Sequence, residues 1–93
     1  MIKIAIVDDN LFLQKAIQDK LVFFDDIDIK FKAANGQELI AKLEKNHNID
    51  LILMDIEMPK MNGIEATELV KNKFPQIKII MLTVFDNDEN IFK

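Results

Sequence analysis

Four short apolar runs, each separated from the next by a longer amphipathic stretch, constrain this chain more than any other feature. Ile4 to Val7 is the first, and it ends in Asp8 and Asp9. Ile27, Ile29, Phe31 and Ala33 form the second, alternating with Asp28, Lys30 and Lys32. That period of two is the signature of a strand with one wet face. Leu51 to Met54 and Ile77 to Leu82 are nearly continuous, as parallel strands covered on both faces are. Strands alternating with helices read as repeated βαβ units, so the expected architecture is an α/β fold around a parallel sheet.

The stretches between the strands announce their helix starts. Asn10 is placed to cap a helix that carries Leu13, Ala16, Ile17 and Leu21 on one side. Asn35 with Glu38, Asn62 with Glu65 and Asp86 with Glu89 share the spacing of a capping box. The first of these leads through Leu39, Ile40 and Leu43. The second leads through Ala66, Leu69 and Val70, and Pro75 closes it. Only Asn87 to Lys93 follow Asp86, short of the roughly 12–15 residues an isolated helix needs in water, so the last pattern reads as cut rather than finished.

At 93 residues the chain is a single domain at the small end for a layered fold. The absence of cysteine excludes disulfides and thiolate metal sites. No apolar run approaches membrane-spanning length, and the first residues lead into a strand rather than a signal peptide. The net charge is −4 and every basic residue is lysine, so the basic patch and arginine forks of a nucleic-acid reader are missing. Neither a membrane nor nucleic acid is therefore an expected partner of this segment.

Parallel strands bring their C-terminal ends to one edge of the sheet, and ligands bind beyond that edge where the strand order reverses. Asp8 and Asp9 follow the first strand, Asp55 the third and Thr83 the fourth. If the first and third strands are neighbours, three carboxylates share one pocket. Close carboxylates repel, and a hard divalent cation such as Mg²⁺ relieves that repulsion through oxygen ligands. A carboxylate beside such an ion can also act as a nucleophile toward phosphorus. Singly, each acid is explained by capping or loop solvation; together they point to a site. Glu57 reads as a solvent-facing side chain whose main-chain carbonyl can reach a metal. Met58 and Met61 read as loop packing around Pro59, and His47 and Lys60 as surface residues. Phe85 fits either the core or a surface aromatic that moves.

IVDDN (6 to 10), LILMDIEMPKMNG (51 to 63) and IIMLTVFDNDE (79 to 89) together resemble the receiver domain of two-component response regulators. The TVFD wording is similar to the branch that often carries a C-terminal helix-turn-helix. The resemblance implies a flavodoxin-like, doubly wound sheet of order 2-1-3-4-5. It implies Asp55 as phosphoacceptor, and Mg²⁺ held by Asp8, Asp9, Asp55 and the Glu57 carbonyl. Thr83 is implied as the switch hydroxyl, a sensor histidine kinase as the phosphodonor, and the cytoplasm as the setting. It implies signalling rather than enzymatic turnover.

Residues 1–93 match the family pattern as a single, incomplete receiver that lacks the fifth strand and fifth helix. The family's lysine at the end of that strand is also missing, and Lys93 does not match it. The expected consequences are a phosphoryl charge that is poorly compensated and impaired switching. An exposed fourth-strand edge, and an uncovered face next to the first helix over parts of Ile4–Val7 and Ile77–Leu82, should favour self-association. Two other readings compete. One is an interaction module that takes no phosphate. The other is an aspartyl-phosphate-type phosphatase, because Asp55-Ile56-Glu57 resembles an Asp-x-Asp motif; such an enzyme wants a second Asp at residue 57.

Overall fold

The computed structural model describes residues 1–56, 58 and 61–82. Among these the elements run β1 (Ile2–Val7), α1 (Leu11–Leu21), β2 (Ile27–Ala33), α2 (Gly36–Lys45), β3 (Leu51–Asp55), α3 (Gly63–Lys73) and β4 (Lys78–Leu82). All strand pairs are parallel, and the order is β2-β1-β3-β4, the flavodoxin-like arrangement over its described strands. The chain steps from β1 outward to β2 and then back across β1 to β3. The order thus reverses between β1 and β3.

The two faces of the sheet are built differently. Ala5 and Val7 of β1 and Ile52 and Met54 of β3 are fully buried against Leu39 and Leu43 of α2 and Ala66 and Val70 of α3. Fully burying the valine, leucine, isoleucine and methionine side chains among these stabilises by about 1.5–3 kcal/mol each, so this layer is the main hydrophobic core. Ile4 and Ile6 point the other way, toward α1. Of the α1 side chains only Gln14 is buried. Leu13, Ile17 and Leu21 are half-buried and Ala16 is exposed, so the expected stripe is corrected. The inward line runs through Gln14, and at 3.6 residues per turn Ala16 lies almost on the opposite side of the helix.

The single wet face expected for β2 is also corrected. Ile27 and Ile29 pair with Ile2 and Ile4, but Phe31 pairs with Ala5, which leaves Lys30 as an extra residue. A bulge shifts the side-chain alternation by one position. Phe31 and Ala33 therefore turn to the α2–α3 core, while Ile27 and Ile29 stay on the α1 face. Two lysines mark the crossing. Lys32, paired with Ile6, donates from its ammonium to Gln18 of α1 at 2.8 Å, whereas Lys42 of α2 sits 5.7 Å from the Phe31 ring centroid. Lys30 is the one exposed residue of the strand.

Each helix begins where its asparagine caps it. Asn10 Oδ1 accepts from the amides of Phe12 and Leu13 at 3.0 and 3.2 Å. Asn62 and Glu65 form a complete capping box. At α2 the box is displaced: Asn35 accepts from Glu38 N, but Glu38 Oε1 accepts from Ala34 N at 2.7 Å. The Asp86–Glu89 pattern lies outside the described residues. Phe74 caps the end of α3 just ahead of Pro75, and the exposed ring of His47 stacks on it with centroids 5.2 Å apart.

Two glycines allow the loop after β3 to close onto the body. A Cβ at Gly63 would run into the Asp55 carbonyl oxygen and would lie 2.9 Å from Ile56 Cα. That close approach is sealed by a hydrogen bond from Gly63 N to Ile56 O at 2.7 Å. At Gly36 a Cβ would meet Met61 Cβ at 2.8 Å, and Gly36 N donates to Met61 O at 3.1 Å. Met58 enters the core itself and Met61 packs against it.

The exposure expected of the α1 face is met only in part. Ile4 and Ile6 stay buried, and Val7 and Ile77 are buried in the α2–α3 core, whereas Ile80 on β4 is 49% exposed. Strand β1 is central and flanked by β2 and β3, which is why it stays covered. Gly63→Ala should cost about 1–3 kcal/mol in urea unfolding, because backbone rather than a flexible side chain must give way. An unchanged denaturation midpoint would contradict the close approach of α3 to the end of β3.

Candidate functional site

Val7 and Met54 are paired in the β1–β3 ladder, so the next residue on each strand, Asp8 and Asp55, emerges at the same sheet edge. Asp9 follows Asp8 into the turn. One carboxylate oxygen from each of Asp8, Asp9 and Asp55 lies within 4.8 Å of the others. The three acids differ in burial: Asp8 is 3% exposed, Asp55 is intermediate and Asp9 is exposed. The sequence-predicted grouping of these three acids is therefore present, at the switch point of the sheet.

Asp8 is tied down on every side. Its amide donates to the Ala33 carbonyl at 3.0 Å, and its Oδ1 accepts from Asn10 N at 2.8 Å. Its own carbonyl accepts from Gln14 Nε2 at 2.7 Å. Burial pushes the Asp8 carboxyl above its ordinary value, and the hydrogen bond from Asn10 opposes that push. The charge of Asp9 and a hydrogen bond with it raise the Asp8 carboxyl further. At an effective dielectric of about 20, two unit charges about 5 Å apart repel by roughly 3 kcal/mol. Such a repulsion is a sizeable fraction of a small domain's net stability. An edge built like this is suited to a hard cation.

Glu57, Pro59, Lys60, Thr83, Phe85 and Lys93 lie outside the described residues. Gln14, which stood out in no motif, makes up with Asp8 the buried polar side chains among the described residues. Its signal was available: Gln14, Ile17 and Leu21 share one helical stripe, and a polar residue on such a stripe asks for a buried partner.

A family model of the response regulator receiver domain matches residues 4–93. The response regulator protein VraR of Staphylococcus aureus (strain Mu3 / ATCC 700698) is 40% identical over 92 residues, covering 99% of this chain and 44% of VraR. The chain thus spans less than half the length of the curated relatives it matches. The response regulator domain of Thermotoga maritima CheB superposes with a TM-score of 0.84 at 32% identity, over 95% of this chain and 64% of that one. A chain in the CheX-CheY-BeF3-Mg²⁺ complex from Borrelia burgdorferi superposes with a TM-score of 0.82 at 27% identity, over 97% of this chain and 67% of that one.

The raised Asp8 carboxyl has a signed consequence for stability. Below its ordinary value of 3.8 the group is protonated in both folded and unfolded chains and costs the fold nothing. As pH rises through the higher folded value, the unfolded chain releases its proton first and stability falls. In metal-free buffer Asp8→Asn, which keeps the acceptor for Asn10 N, should therefore melt a few degrees above the parent at pH 7. The gain should vanish toward pH 3.5. Thermal melts across that range check this, and an Asn variant that is less stable at neutral pH would contradict it.

Proposed function

The chain belongs to the response regulator receiver family, and on that footing we propose that Asp55 accepts a phosphoryl group while Asp8, Asp9, Asp55 and the Glu57 main-chain carbonyl hold a Mg²⁺ ion. Receivers of this family bind Mg²⁺ in an acidic pocket, take their phosphoryl group from sensor histidine kinases and are generally not turnover enzymes. The observation that carries the reading for this chain is the meeting of three carboxylates at the tips of neighbouring strands.

The residues fit the ion. All three donors are hard oxygens, and the buried Asp8 pays for its charge while no cation is near. When bound, Mg²⁺ supplies positive charge that screens the pocket and engages phosphoryl oxygens. Asp55 sits at the end of a strand anchored on both sides, β1 on one and β4 on the other, which fixes the point from which its side chain leaves the backbone. In the transfer, an Asp55 oxygen forms a bond to phosphorus as the donor's phosphorus–nitrogen bond breaks. The departing imidazole nitrogen keeps the electron pair. Thr83, next after the β4 residue that pairs with Asp55, is the proposed switch hydroxyl, and the proposed setting is the cytoplasm.

The reading extends to self-association through β4 or α1. Among the described residues β4 is paired on one side only, and Leu11 and Phe12 on α1 are 67% and 83% exposed. Sedimentation should then show a concentration-dependent rise in mass, and a monomer at all concentrations would remove this part.

Incubation with acetyl phosphate and Mg²⁺ should leave acid-labile phosphate on the parent chain and none on Asp55→Asn. No phosphate on the parent would favour an interaction module, and sustained phosphate release would favour a phosphatase. Independently, Mg²⁺ at about 100 times its Kd should stabilise the fold by about 2.7 kcal/mol. That thermal shift should disappear in Asp9→Asn.

A further inference from the structure

Gln14 is 5% exposed, yet it belongs to a helix whose other side chains are half-buried or exposed. Its Nε2 donates to two carbonyl oxygens, those of Asp8 and Ala33, each at 2.7 Å. Because both partners are acceptors, only the NH₂ of the side-chain amide can face them; the reverse orientation would set oxygen against oxygen. Both N–H groups are thereby used. The Ala33 carbonyl also accepts from Asp8 N at 3.0 Å. This three-way join closes β1 onto β2 one residue beyond their last ladder pair, Val7 with Ala33.

The carbonyl of Asp8 and the amide of Asp9 belong to one planar peptide group. Holding that carbonyl fixes the plane, and the plane sets the directions in which the Asp8 and Asp9 side chains leave the backbone. Asp8 has a second restraint on its carboxylate through Asn10 N, and the exposed Asp9, which also hydrogen-bonds with Asp8, leaves the backbone from that plane. A neutral amide does this without adding charge.

We propose that Gln14 is a positioning residue, which orients the Asp8–Asp9 peptide so that both carboxylates face the shared pocket. The inference rests on the Mg²⁺ reading given above. Outer partners that orient ligands typically change metal affinity by about 10–100-fold when removed. In the 93-residue chain, Gln14→Met keeps the length of the side chain and removes both donors. Calorimetric titration with Mg²⁺ should show its Kd raised about tenfold over the parent. Val70→Ala, which opens the remote α3 core, should lower the melting temperature and leave Kd unchanged. A parent chain that binds no Mg²⁺ would sink the site reading itself. A parent that binds, beside a Gln14→Met variant of equal Kd, would sink the positioning role alone.

If Gln14→Met does not fold, the parent chain decides the matter through linkage. A contact that favours the binding geometry must itself be strengthened by binding. The Nε2 protons of Gln14 should therefore exchange with solvent several-fold more slowly at saturating Mg²⁺ than in its absence, as read by NMR. Exchange unchanged by Mg²⁺ would overturn the proposal.

Discussion

The pairing of Val7 with Met54 is the contact on which the rest depends. It is an ordinary parallel ladder contact between two fully buried residues, and it places Asp8 and Asp55 together at the sheet edge. A shift of one residue in that register would turn one of the two side chains to the opposite face. The pocket is therefore as rigid as the two central strands. Its rigidity has an electrostatic cost, because burial and Asp9 both oppose the ionisation of Asp8. The hydrogen bond from Asn10 recovers part of that cost, and a bound cation would recover more.

The faces of the sheet divide the labour unequally. Against α2 and α3 the sheet packs dense apolar side chains, and the bulge at Lys30 recruits Phe31 and Ala33 of the edge strand into the same layer. Against α1 the described contacts are more polar. Gln14 reaches the ends of β1 and β2, Lys32 reaches Gln18, and Asn10 caps the helix next to the acids. The α1 side is thus secured nearest the site, where direction matters more than bulk. The same polar ties connect a helix to the acid turn without filling the pocket.

The loop after β3 is held by close backbone contact. Gly63 lets the first turn of α3 lie directly on the Asp55 carbonyl, and Gly36 lets the first turn of α2 accept Met61. Movement of the Asp55 backbone is therefore felt at the start of α3, since that contact has no slack. Met58 and Met61, which fill the space beneath, have the flexible side chains that tolerate small repacking.

The strand–helix alternation, the asparagine caps and the acids at strand ends were legible in the sequence because each is a local signal: hydrophobic period, capping chemistry, residue type after a strand. From these and the receiver motifs the sheet order and the Asp8–Asp9–Asp55 grouping could be stated. The sequence could not show that β2 changes faces at Lys30, since a bulge depends on register with a neighbour rather than on the strand's own pattern. It also could not show that Gln14 would be the buried residue of α1. That was decided by two carbonyl groups on separate strands, one six residues away and one nineteen, which only the tertiary fold brings within reach of a single amide.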